Sequence, residues 1–533
     1  MQAQHSAPLT LSRKGQSPLR STALVVGAGL IALYVSSWQS FRALSWSDEI
    51  VYAVMGRNIA AGRGAISNFY DALSILRKGF PLGDVHMPGH AFLLAASFAV
   101  LGPTESAALV PSCVAFVLTG LLLFGLGRRL FDERVGVVAA VLFYVSPPMT
   151  AYAHTAMAEL PLVFIGCAYF ACWCRAMVGP YRTSPFLLAA LIGLGATARE
   201  TFLVLVPSAL YALWRWPRPA RLRGLIVFGA AFASCLLLVL GPLALARAPY
   251  PNFLSTILDL GAGPSMWRAV AHNFARNLGG LPCPGAHPSG WTFTYQYLAG
   301  ALLPLFCLAR PVAPRQLAAF VLCSHVATVA VLAGVYPLRD LVPVELIAVR
   351  PATWWAGVRA LMFLAGPAAV LLAATIVSIR TRAVRWGVLG ATIGLLSLIS
   401  ARSNAVLVAD RIGAYRYDEP FSRFVAESTA AFHPRVVLAE GAFLYGWQAY
   451  PVNVIWNATA EPAEIAALER VIPIDVIVVG ETRRVAIEEG VRTGELRGGY
   501  AIEAEPRRGV FVFVSRECVQ RSLNGRPRRN PAG

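Results

Sequence analysis

The sequence predicts an α-helical polytopic membrane protein of about eleven transmembrane helices carrying a small external C-terminal α/β domain. Three observations predict it. Of the 533 residues, 56% are hydrophobic and only 14% charged, and the mean hydropathy is +0.58, far more apolar than an ordinary soluble domain. Apolar runs near the length of about 20 residues that crosses a bilayer recur between residues 21 and 401. The 46 Lys and Arg outnumber the 28 Asp and Glu, for a net charge of +18, and they gather in short clusters between those runs, as they do in cytoplasmic loops. Such an excess can serve nucleic acid, but lipid is the simpler explanation, so no nucleic-acid partner is expected.

The first run, 21 to 41, follows the basic stretch "SRKGQSPLR" but lacks a small-x-small cleavage site, so it reads as an uncleaved first helix. Further spans fall near 105–127, 135–153, 157–176, 185–198, 200–215, 224–246, 293–310, 316–336, 358–379 and 385–401. Basic clusters at Arg13 to Arg20, Arg128 to Arg134, Arg175 to Arg182, Arg215 to Arg223, Arg310 to Arg315 and Arg380 to Arg385 alternate with them. That alternation predicts a cytoplasmic N-terminus, and the family resemblance given below implies the cell (inner) membrane. The apolar piece from His90 to Leu101 is too short to span and reads as re-entrant or interfacial. The stretch from Pro185 to Trp214 would run roughly 45 Å as one helix. Both its flanks are basic, so it must turn as a hairpin near "ARET", with Arg199 and Glu200 at the outer tip.

The transmembrane unit is therefore 1–401, with external loops at 42–103 and 247–291. From 402 to 515 the long apolar helices stop. "RVVLAE", "VNVIW", "IDVIVVG" and "GVFVFVS" read as short buried strands and "EPAEIAALERV" as an amphipathic helix between two of them. This predicts the α/β domain, on the external, periplasmic side. Residues 516–533 read as a basic, disordered tail. Seven of the nine cysteines lie in apolar stretches, leaving Cys283 and Cys518 as the water-exposed pair.

Chemistry is sought where charge meets the external edge of the lipid. "SWSDEIVYAVMGRNIAAGRG" puts Asp48 and Glu49 in the first turn of a helix, where capping alone could explain them. Capping does not explain their position just past the first span. Arg57 lies two turns on. "GDVHMPGHAF" adds His86 and His90, and "SPPMTAYAHTAMAELPLVF" adds Glu159 at the outer start of a span, where an acid is costly and functional by default. The loop at 247–291 is unusually basic for an external one, with Arg268 and Arg276 suited to a lipid phosphate.

These pieces together resemble the GT-C glycosyltransferases, and among them the bacterial relatives of protein O-mannosyltransferase and lipid A aminoarabinose transferase. The likeness is carried by "DEIVYAVMGRNIAAGRG", "HMPGHAFLLAASFAVLGPTESAALVPS", "GLGRRLFDERVGVVAAVLFYVSPPMTAYAHTAMAE" and "LIGLGATARETFLVLVPSALYAL", from about Ser21 to Trp216. It implies a hexosyl- or pentosyltransferase that moves a sugar from a polyprenyl-phosphate carrier to a glycan, lipid or protein acceptor on the outer face. It also implies that Asp48 is the leading catalytic acid and Glu159 the acid of the second loop. The family's Lys-Pro-Pro or His-Pro-Pro element is His86-Met87-Pro88-Gly89 here, with its second proline lost.

Elementary chemistry runs the same way. A polyprenyl phosphate is already a good leaving group, so the protein must mainly neutralise the departing phosphate and accept a proton from the acceptor hydroxyl. Asp48 is expected as general base with Glu49 in support, and Glu159 as a second acid. Arg57, His86, His90, Arg199, Arg268 and Arg276 are the candidates to hold phosphate. Asp48 and Glu159 could also share Mg²⁺ or Mn²⁺. A single displacement would invert the sugar's configuration. The rival reading is a transporter or flippase for a lipid-linked or anionic substrate, against which the acids sit at one face and not at midplane. A membrane scaffold that only presents the C-terminal domain ranks last.

Overall fold

The structure is a computed structural model, which describes residues 18–38, 43–45, 47–72, 75–76, 88–178, 183–245, 365–439, 443–456, 461–504 and 510–525. The expected spans at 293–310 and 316–336, the loop at 247–291, His86, Arg268 and Arg276 lie outside the described residues. Among those described, five helices are long and apolar enough to cross a membrane.

The bundle is built from α1 (Pro18–Trp38), α4 (Glu105–Leu130), α5 (Glu133–Tyr144), α7 (Glu159–Val178), α8 (Pro185–Ala198), α9 (Val206–Trp214), α10 (Arg218–Leu245), α11 (Ala365–Val377) and α12 (Arg382–Thr429). Short helices α2 (Ser47–Ala60), α3 (Gly89–Leu101) and α6 (Pro147–Tyr152) complete it. Two hydrogen bonds fix its direction. Ser21 near the start of α1 bonds to Glu133, whereas the Leu44 amide, just past the end of α1, donates to Glu105 at the start of α4 (3.1 Å). Helices α1 and α4 are thus antiparallel, and the Arg128–Arg134 cluster shares an end with the start of α1.

α3 has 13 residues, roughly 20 Å of helix at 1.5 Å per residue, short of the ~30 Å hydrocarbon layer. It lies along α2, and both its termini stay at the Glu105 end. The helix stretch beyond Pro185 breaks at Arg199, where α8 stops and a 3₁₀ turn (Glu200–Leu205) leads into α9. A Cβ on Gly195 would sit 2.1 Å from the Phe202 ring, so only glycine admits this close turn. The Trp216 indole then donates to the Ala176 carbonyl (2.8 Å), at the far end of α7. Pro185 to Trp214 is therefore a hairpin with Arg199 at its tip.

α12 departs from expectation. It runs unbroken for 48 residues, so the boundary expected at 402 falls inside a helix. Its lower half packs on the bundle, with Thr150 bonded to Ser400. Its upper half enters the C-terminal unit, where Asp418 accepts from the Leu444 amide (2.8 Å) and so caps the short helix α13 (Phe443–Gln448).

That unit holds a six-stranded sheet in the order β1-β3-β2-β4-β6-β5. Its strands are β1 (Phe69–Asp71), β2 (Val436–Ala439), β3 (Asn453–Trp456), β4 (Val476–Gly480), β5 (Ala501–Ala504) and β6 (Val510–Val514). The first four pair in parallel, and β5 and β6 add antiparallel. Helices α14 (Pro462–Glu469), α15 (Glu481–Arg492) and α16 (Arg516–Gly525) connect or follow the strands. β1 comes from the first loop, with Phe69 in register with Val454 and Asp71 with Trp456. The loop at 42–103 and the C-terminal unit therefore share one sheet.

The expected disordered tail is corrected for its first ten residues: 516–525 form α16. Cys518, expected in water, is fully buried there, and Arg521 pairs with Asp475 across the same face.

Candidate active site

The site begins with α2. Asp48 and Glu49 occupy its first turn, where acids complement the helix dipole, and Gly62 at φ +72° closes it. Neighbouring residues on a helix point about 100° apart, and the two acids meet different fates. Asp48 is half-buried. Glu49 is wholly buried and lies within a buried polar knot.

Both Glu49 oxygens are engaged. Oε1 accepts from the Ala156 amide (3.1 Å) and Oε2 from the Ser45 amide (3.2 Å). The Arg411 guanidinium, carried by α12, reaches both oxygens through one nitrogen (3.1 Å each). Arg411 also donates to Ser45 Oγ (3.0 Å), to the His154 carbonyl (2.9 Å) and to the Ala43 carbonyl (2.9 Å). Arg411 is 2% exposed and Glu49 0%, so this is a closed pair in which charges out of water are compensated by one another and by four backbone groups.

The Ala156 peptide passes the connection on. Its amide holds Glu49, and its carbonyl meets His90 Nε2 at 2.9 Å. His90 comes from the start of α3, with Tyr52 of α2 edge-on to its ring at 5.0 Å. Gly89 lets α3 start so close to the hairpin: a Cβ there would lie 2.6 Å from Thr197. Burial depresses the His90 imidazole to about 4, with Glu159 and Arg199 also acting on it. The ring is therefore neutral near pH 7.

Three residues beyond Ala156, Glu159 opens α7. It is buried, and Arg199 at the hairpin tip donates to its Oε1 at 2.9 Å. This second pair is asymmetric: the Arg199 side chain keeps 18% of its exposure and Glu159 none.

Glu49, His90, Glu159 and Arg199, drawn from four separate sequence segments, are thus linked at one end of the bundle, and Asp48 is the chain neighbour of Glu49 there. Arg57 does not join them. Its guanidinium donates to the Trp447 carbonyl (3.0 Å) and lies 4.2 Å from the Tyr450 ring centroid, and burial against these aromatics lowers its pKa. It fastens α2 to the C-terminal unit instead. Asn58 does likewise, accepting from the Tyr450 hydroxyl (2.6 Å) and donating to Asn68 (2.9 Å).

Arg411 is the residue the sequence did not offer. The available signal is that no glycine or proline occurs from Leu395 to Ile412, so nothing in the sequence ends the last helix at 402. A divalent cation on Asp48 and Glu159 finds no ligand set: among the described residues no three His, Cys, Asp or Glu side chains group as metal ligands. Glu159 already faces a guanidinium that would repel a cation.

Residues 85–244, which hold His90, Glu159 and Arg199, match the family described as dolichyl-phosphate-mannose-protein mannosyltransferase. The chain is similar in structure to ArnT from Cupriavidus metallidurans bound to undecaprenyl phosphate, with a TM-score of 0.54 and 14% identity over 93% of this chain and 98% of that one. The chain shares the fold of ArnT. The apo state of the same ArnT gives a TM-score of 0.53 at the same identity and coverage. The Archaeoglobus fulgidus oligosaccharyltransferase in complex with Zn and sulfate gives 0.50 at 14% identity, over 93% of this chain and 73% of that one. No curated protein matches the sequence. The family match spans the hairpin and the second acid, while the Glu49–Arg411 knot also draws on residues at both sides of it.

Proposed function

We propose that this protein is an integral membrane glycosyltransferase that moves a sugar, hexosyl or pentosyl, from a polyprenyl-phosphate carrier to an acceptor hydroxyl. The reading is supported most by one observation: a buried carboxylate, Glu159, faces a partly exposed guanidinium, Arg199, at the same end of a membrane bundle as the half-buried Asp48. A carrier phosphate arriving there would meet Arg199, whose planar donors suit phosphate oxygens. The acceptor oxygen attacks the anomeric carbon as its bond to phosphate breaks. The proton passes to Asp48, and the phosphate leaves with the electron pair beside Arg199. Attack opposite the leaving oxygen inverts the configuration. ArnT bound to undecaprenyl phosphate shares this fold, which supports a lipid-phosphate donor. The acceptor is a glycan, lipid or protein. His86, Arg268 and Arg276 remain phosphate candidates by sequence, and Glu49 acts by holding the site. The site end is assigned to the periplasmic face of the inner membrane, with the N-terminus and the basic loops cytoplasmic.

Asp48→Asn keeps shape and removes the base. The variant should insert in the membrane at the normal level while cells lose the envelope glycan modification that deletion of the chain removes. Continued modification at the wild-type level would overturn the assignment.

A further inference from the structure

Arg411, a cation only 2% exposed, sits on a helix far in sequence from either candidate acid, yet it touches the supports of both. It reaches the residues before α2 at Ala43 and Ser45, α2 itself at Glu49, and the segment before α7 at the His154 carbonyl. Two residues after His154, the Ala156 amide is held by Glu49. The segment that delivers Glu159 is thus pinned twice within three residues, once by Arg411 directly and once through the carboxylate that Arg411 orients. Asp48 is the chain neighbour of that carboxylate.

We propose that Arg411 is a positioning residue: its guanidinium sets the first-loop acid Asp48 and the second-loop acid Glu159 in register with each other. Its donors point in fixed directions, and five acceptors on three chain segments use them. A lysine ammonium in its place is a point charge on a flexible stem and cannot span those acceptors together. The catalytic consequence rests on the glycosyl-transfer reading, whereas the geometric one does not.

The test labels carboxylates in the full-length protein in detergent micelles with a water-soluble carbodiimide and glycine ethyl ester, read residue by residue by peptide mass. In the wild type Asp48 should label, and Glu49 and Glu159 should be protected. In Arg411→Lys, at a temperature where a melting curve shows the protein folded, labelling of both Glu49 and Glu159 should rise at least tenfold. Labelling of Glu49 alone, with Glu159 protected as in the wild type, would overturn the proposal. Should the lysine variant not fold, the double variant Arg411→Met, Glu49→Leu leaves no unpaired buried charge. It should melt near the wild type, yet expose Glu159 at least tenfold more and lose glycan modification in cells. Wild-type protection of Glu159 together with wild-type modification in that double variant would reduce the pair to a structural role. If the wild-type chain itself supports no modification that its deletion abolishes, the transfer reading falls, and the labelling pattern still decides the role of Arg411.

Discussion

Two buried ion pairs lie one peptide segment apart and differ in one respect. Glu49–Arg411 is closed on all sides, with 0% and 2% exposure, and its donors and acceptors are taken up by each other, by the Ser45 hydroxyl and by backbone groups of two segments. Glu159–Arg199 has one shut side and one open side, because Arg199 sits at a hairpin tip with 18% exposure. A closed pair cannot exchange partners without uncovering a charge, so it serves as scaffold. An open pair can hand its guanidinium to an incoming anion, so it is suited to bind one.

The largest effect should come from the closed pair. Glu49→Ala leaves the Arg411 charge buried without its counter-ion and should cost about 3–5 kcal/mol of stability, read as a marked fall in melting temperature in detergent. A change within ordinary surface scatter would show that water reaches Arg411. Glu159→Gln should reverse the balance, costing roughly 1.5–3 kcal/mol as a charged hydrogen bond is lost while glycan modification falls to background. Equal stability losses in the two variants would erase the contrast drawn between them.

His90 sharpens the comparison through pH. Its folded-state value of about 4 lies below the ordinary 6.5, so below 6.5 the unfolded chain binds a proton that the folded chain refuses. Stability is therefore full above 6.5 and falls by about 1.4 kcal/mol per pH unit between there and 4. His90→Gln removes the titration and should flatten that limb of the melting temperature against pH. The smallest effect belongs to the junction with the C-terminal unit: Tyr450→Phe deletes the hydroxyl bonded to Asn58 and should cost about 1 kcal/mol. A loss beyond that would mean the first loop depends on this junction for its place.

Much of the candidate site was legible in the sequence because charge is conspicuous against an apolar background. Asp48, His90, Glu159 and Arg199 stood out where the spans meet water, and the parity of basic clusters called for the hairpin that brings Arg199 to Glu159. The strands at 436–439, 453–456, 476–480 and 510–514 were legible as short apolar runs. What misled was local reading across a boundary. Glu49 looked like a partner of Asp48 because it is next to it, but helix geometry sends it inward. Arg57 looked like a phosphate ligand and instead faces Trp447 and Tyr450. The basic stretch after 516 looked disordered, and burial of Cys518 with the Arg521–Asp475 pair makes it a helix.

By itself the sequence determined that this chain lives in a membrane, which end of the bundle gathers the basic loops, and which acids lie at the opposite end. These follow from transfer free energies summed along the chain, which need no knowledge of neighbours. Only the tertiary structure decided which acid is closed off and which stays open, because that depends on a guanidinium arriving from residue 411. It decided as well that residues 69–71 complete a sheet made otherwise from the last hundred or so residues. Pairing across such sequence distance is fixed by packing and leaves no periodic trace in the chain.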